Sequence, residues 1–121
     1  MILTYKTTKE GIIEEKKTIE KNSWINLISP SEEELKEVSK LYKIPFEFLE
    51  NPLDLEESAR IEYDEDANCT LIINDFPIID TNNNQFDSYI TIPIGIIIGT
   101  DCIVTVCNQP CTILGNFVNK K

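Results

Sequence analysis

Ile90-Thr91-Ile92-Pro93-Ile94-Gly95-Ile96-Ile97-Ile98 is the stretch on which the fold turns. Isoleucine occupies every even position, the period of a strand whose alternate side chains share one face. Gly99-Thr100-Asp101 then supplies a turn, and Cys102-Ile103-Val104-Thr105-Val106-Cys107 a second apolar run. Together they predict a hairpin in which Ile90, Ile92, Ile94, Ile96 and Ile98 line the core. Pro93 has no N–H for a ladder, so the strand is expected at a sheet edge or a bulge.

Upstream, Ile61 and Tyr63 alternate with Glu62 and Asp64, Glu65-Asp66-Ala67-Asn68 reads as a turn, and Cys69 to Ile79 as its partner strand. A polar loop, Asp80 to Gln85, leads into the isoleucines. At the N-terminus, residues 2–8 and 12–19 flank Lys9-Glu10-Gly11, which predicts a hairpin at a sheet edge. Trp24 to Ile28 reads as a short strand with Trp24 in the core. Ser31 and Glu34 have capping-box spacing, with Ser29 the alternative cap if Pro30 opens the helix. Leu35, Val38, Leu41 and Tyr42 form the apolar stripe, Glu32 and Lys36 an i,i+4 pair, and Ile44-Pro45 the stop. Phe46, Phe48, Leu49, Leu53 and Leu55 then anchor one or two short helices interrupted before Pro52, and Thr112 to Val118 predicts a closing helix. Hairpins with the helices inserted as a block predict an α+β domain over residues 1–121, a mixed, largely hairpin-built sheet with helices packed on it.

Composition narrows the chemistry. A net charge of −10 repels nucleic acid and anionic lipid surfaces. The chain has no histidine, which removes His-based acid–base catalysis, Ser-His and Cys-His pairs and His-containing zinc sites. Cys69, Cys102, Cys107 and Cys111 fit no zinc knuckle or disulfide framework and read as reduced, structural thiols. The longest apolar run, Ile92 to Ile98, falls far short of the roughly 20 residues of a membrane span, and no export signal opens the chain. No enzyme is expected.

Residues 31–66 hold thirteen acids against four bases. Such a segment is either a solvated acidic surface or a site for a hard cation, which takes carboxylate and amide oxygens. The Asp-x-Asp-x-Asp-Gly spacing of an EF-hand is missing. Arg60, the only arginine, lies among Glu56, Glu57, Glu62 and Asp64 and is read as a structural ion-pair partner.

The order of features says more than any one of them. Trp24-Ile25-Asn26-Leu27 is followed by a Pro-Ser-Glu-Glu-Glu-Leu helix start, Tyr42-Lys43-Ile44-Pro45, and Phe48-Leu49-Glu50-Asn51-Pro52-Leu53-Asp54. Then come Arg60-Ile61-Glu62, Leu71-Ile72-Ile73, Ile94-Gly95-Ile96-Ile97-Ile98 and Cys102-Ile103-Val104-Thr105-Val106. From about Trp24 to Phe117 this order resembles the N-terminal cytoplasmic domain of the CorA family of magnesium transporters. The resemblance implies a homopentameric channel of the cell membrane for magnesium, sometimes cobalt or nickel, with this domain in the outer part of a cytosolic funnel. The zinc-transporting branch of the same superfamily shares the domain, and a free-standing acidic protein-interaction module is the alternative from another class. The family's Gly-Met-Asn pore signature is not in this chain, whose only methionine is Met1, so a soluble part is expected, joined to the membrane by segments outside it. The resemblance further implies that Glu50 and Asn51 match an acidic pair that binds regulatory divalent ions against a neighbouring subunit. Asn51 stands where an aspartate is often found, and Asp54 is the nearest substitute carboxylate. Magnesium is thus expected as regulatory ion and transported substrate, bound weakly if at all by this chain alone.

Overall fold

A computed structural model describes residues 1–80 and 88–118. Seven strands form one sheet: β1 (Ile2–Thr7), β2 (Ile13–Lys16), β3 (Ser23–Ile28), β4 (Arg60–Asp64), β5 (Cys69–Asp80), β6 (Ser88–Ile98) and β7 (Cys102–Cys107). Their order is β2-β1-β3-β7-β6-β5-β4. Every neighbouring pair is antiparallel except β3 and β7. The sheet is therefore two hairpin-built blocks joined through one parallel pair at its centre, the α+β architecture that the segment order predicts. The 80–85 loop lies, beyond Asp80, outside the described residues.

The helices α1 (Glu32–Tyr42) and α2 (Phe46–Glu50) and a 3-10 turn (Asn51–Leu53) fill the connection from β3 to β4. Ser31, not Ser29, caps α1. Its Oγ accepts from the Glu34 amide at 3.2 Å, while Glu34 Oε1 accepts from the Ser31 amide at 2.9 Å and from the Met1 α-amino group at 3.0 Å. Glu34 thus ties the start of β1 to the start of α1, and these bonds hold its carboxyl below the usual carboxylate range, the Ser31 amide most strongly. A lowered folded pKa gives stability that is present above the ordinary carboxylate pKa and lost as pH falls through the lowered one. Glu34→Gln should therefore make unfolding less sensitive to acidification from about pH 5 to about pH 3, as followed by circular dichroism. Ser31→Ala should cost about 1 kcal/mol in urea unfolding.

The main core lies between the helices and one sheet face. Leu35 and Val38 of α1 and Phe48 and Leu49 of α2 meet Ile25, Leu27, Val104, Val106, Leu71 and Ile97 from the strands. Leu41, expected in the α1 stripe, is exposed, as is Leu55. Leu41 lies in the last turn of α1, which ends at Lys43 in a left-handed cap. Tyr42 instead packs inward and donates from its hydroxyl to the Glu20 carbonyl at 2.5 Å. The Glu32–Lys36 pair forms at 3.3 Å on the exposed side.

The isoleucine strand pairs with β7 as expected, Ile94 opposite Cys107 through Ile98 opposite Ile103. Its core face is a correction. Ile92 and Ile94 are buried and Ile96 half-buried, but Ile90 and Ile98 are exposed while Ile97, on the odd side, is fully buried. The odd side faces the helices, and its small residue, Gly95, makes room for Pro52 of the 3-10 turn. The strand is also central, not an edge. Pro93 pairs with Asp75 of β5 just beyond the last residue of β7, so β6 has no second neighbour there to require an N–H.

Edges fall where β2 and β4 end the sheet, and Gly11, at φ 81°, turns the β1–β2 hairpin. On β4 the apolar pair Ile61 and Tyr63 is exposed on the side away from the helices. The closing helix α3 (Thr112–Val118) lies on that second side, where Leu114 packs against Ile94 and Cys107. The chain's last three residues lie outside the described part.

Candidate functional site

Glu50 ends α2, and Asn51 opens the 3-10 turn that follows directly, with its amide donating to the Glu47 carbonyl. Pro52, which has no amide hydrogen, fits this first turn and is buried over Gly95. The turn is held at both ends. Asp54 donates its amide to the Asn51 carbonyl at 3.1 Å, and Asn108 donates its side-chain amide to the Leu53 carbonyl at 3.2 Å. This short segment is therefore a rigid corner that projects from the buried Leu49 and Pro52.

The three expected ligands sit on that corner in different settings. Glu50 is exposed, Asn51 half-buried and Asp54 exposed. Asp54 Oδ1 accepts from the Glu56 amide at 3.0 Å, which commits one of its oxygens to the local turn. Among the described residues no group of three or more Asp, Glu, Cys or His side chains converges as a metal-binding cluster. Carboxylate and amide oxygens, the donor type that hard cations take, are present on the corner without converging.

Arg60 behaves as the sequence implies. Its guanidinium pairs with Glu57 and, at 3.6 Å, with Glu62, so the acidic strip around β4 carries its own counter-ion. Burial pushes the thiols of Cys102 and Cys107 up to about 11, with Asp101 adding to the shift at Cys102 and the Cys111 thiol to that at Cys107. The four cysteines are unpaired, and Cys69, Cys102 and Cys107 are buried, which fits a packing role.

Trp24 is a second correction. It is half-buried on the sheet face opposite the main core, against Tyr5 with ring centroids 4.9 Å apart and the planes tilted by 37°. Its Nε1 donates to Thr105 Oγ1 at 2.8 Å, and Thr105 donates to Asn26 Oδ1 at 3.0 Å. Sequence reasoning missed this second face. The available signal was the absence of charge at alternate positions of β3, β6 and β7.

Comparison with known proteins gives the frame for these observations. No curated protein sequence matches the chain. The CorA magnesium transporter of Methanocaldococcus jannaschii superposes with a TM-score of 0.75 at 25% identity, over 97% of this chain and 35% of that one. The soluble domain of the same transporter superposes with a TM-score of 0.76 at 26% identity, over all of this chain and 47% of that one. The ZntB cytoplasmic domain from Vibrio parahaemolyticus RIMD 2210633 shares the fold, with a TM-score of 0.67 at 13% identity over 94% of this chain and 46% of that one. The chain thus spans less than half the length of each of these relatives. Among the described residues no helix is long and apolar enough to cross a membrane. The family described as CorA-like Mg2+ transporter protein matches residues 20–121, which hold five of the seven strands and all of the helices, and the chain belongs to that family.

Proposed function

We propose that the chain is the cytoplasmic regulatory domain of a divalent-cation transporter of the cell membrane, with magnesium as both cargo and regulatory ion. The family match over residues 20–121 carries this reading. Glu50, Asn51 and Asp54 supply one subunit's share of a regulatory site, and the rest comes from a neighbouring subunit of a homo-oligomer. Two features support the placement. The corner is held rigidly by Pro52, Leu53 and Asn108, and Glu50 and Asp54 are exposed rather than turned into this chain's own core. Rigid support on packed elements is what a shared ion site requires if binding is to report on how the subunits sit. Magnesium is favoured over a softer ion because the donors are carboxylate and amide oxygens, without imidazole or accessible clustered thiolate.

The test is a chimera in which this chain replaces the corresponding 35% of the M. jannaschii CorA transporter, reconstituted in vesicles. Ion flux through the assembled chimera should fall as internal magnesium rises into the range of about 10 mM, and Glu50→Ala should weaken that inhibition about tenfold. An assembled, conducting chimera that ignores internal magnesium would contradict the regulatory reading.

A further inference from the structure

Leu53 and Asn108 are 55 positions apart in the chain, and the Asn108 side chain closes the gap in space by donating from Nδ2 to the Leu53 carbonyl. Among the described residues, it is the only side-chain hydrogen bond that reaches residues 51–54 from another part of the fold. Its base is firm. Asn108 directly follows β7, the middle strand of the sheet. Cys107 before it is fully buried, stands opposite Ile28 and Ile94 on its two sides, and accepts at its carbonyl from the Ser29 amide at 2.8 Å.

The group that Asn108 grips is the peptide joining Leu53 to Asp54. Its carbonyl accepts from Asn108 at 3.2 Å, and its N–H donates to the Asn51 carbonyl at 3.1 Å. Both polar atoms of that one peptide are therefore engaged, one by the sheet and one by the turn itself. Pro52, seated over Gly95, holds the start of the turn by apolar contact, which leaves its Asp54 end to this bond.

We propose that Asn108 is a positioning residue for the ion response, which fixes Asp54 relative to Glu50 and Asn51 by holding the peptide before it. The proposal rests on the regulatory reading of that corner and adds the residue outside it that sets its geometry. A hard-cation site depends on the placing of its oxygens, and groups that orient ligands without touching the ion change its affinity. The donor is the essential part. Aspartate at 108 has nearly the same shape, but it has no N–H and would set a carboxylate against the Leu53 carbonyl oxygen, whereas glutamine keeps the amide donor.

Two measurements test it. In this chain, Asn108→Asp should speed deuterium exchange at the Asp54 amide at least about fivefold, with a fall in melting temperature of no more than about 5 °C, since Pro52 still seats the turn. In the vesicle-reconstituted chimera, Asn108→Asp should raise the internal magnesium needed for half-inhibition about fivefold and leave magnesium-free flux within about twofold. Asn108→Gln should shift it less than Asn108→Asp does, and Asn108→Ala replaces the aspartate variant should that one fail to assemble. An unchanged midpoint in Asn108→Asp, beside a weakened response in Glu50→Ala, would overturn the role of Asn108 and leave the regulatory reading standing. No change in Glu50→Ala would overturn both. Equal shifts in the aspartate and glutamine variants, unchanged exchange at Asp54, or magnesium-free flux that falls in step with the midpoint would reduce Asn108 to a structural residue and also overturn the proposal.

Discussion

Gly95→Ala should destabilise the fold by about 3 kcal/mol, a fall of roughly 10 °C in melting temperature for a chain of this size. Gly95 lies mid-strand, opposite Ile73 on one side and Val106 on the other. A Cβ there would stand 2.8 Å from Pro52 Cβ and closer still to Pro52 Cγ. The proline ring cannot swing aside as a long side chain would, so relief means lifting the 3-10 turn from the sheet. That breaks the Asn108 bond to the Leu53 carbonyl and disturbs the corner that carries Glu50, Asn51 and Asp54. Gly115 is the control. Nothing lies within 4 Å of a Cβ placed there, and in a helix alanine is better than glycine by up to about 1 kcal/mol. Gly115→Ala should therefore leave stability unchanged or slightly raised. A Gly95→Ala protein melting within about 2 °C of the parent would show that Pro52 does not pin the turn.

The second large effect separates two adjacent isoleucines. Ile97 is fully buried among Leu71, Val104 and the helix side chains, whereas Ile98 is 46% exposed. Ile97→Ala removes buried methylenes and leaves a cavity in a packed core, which should cost about 3 to 4 kcal/mol. Ile98→Ala should cost less than about 1 kcal/mol. Equal losses, or a larger loss at Ile98, would restore the even-numbered face as the core.

That pair also shows how far the sequence could be read. Strand pairing, the Gly-Thr-Asp turn, a helix start at Ser29 or Ser31 and the helix block were legible because each rests on local chemistry: period, turn residues and capping spacing. The facing of β6 was not legible, because a non-local contact set it. Pro52, more than forty positions earlier in the chain, sits over Gly95, and Gly95 together with Pro93 erased the apolar pattern on the true core side. The second apolar face explains the rest of the error, since a strand buried toward both sides carries isoleucines at either parity. Leu41, Leu55 and Ile61 fit apolar periodicity and are exposed nonetheless, at a helix end, in a loop and on an edge strand. For the candidate site, the position of Glu50 at a helix end and the turn at Pro52 were readable. What was not readable is that Asp54 spends one oxygen on the Glu56 amide and that the three residues form no closed cluster.

Magnesium titration of this chain by calorimetry, with and without Glu50→Ala, decides whether the corner is a complete ion site or one subunit's share of it. If the chain holds only one subunit's share of the site, its affinity is poor. With Kd on the order of 10 mM, adding about 10 mM magnesium stabilises by only roughly 0.4 kcal/mol, from RT ln(1 + [L]/Kd). Titration should show no saturation below about 10 mM, a melting shift under about 2 °C, and no difference between the parent and Glu50→Ala. A one-to-one magnesium site of micromolar affinity, abolished by Glu50→Ala, would contradict it by showing that a single chain carries a complete site.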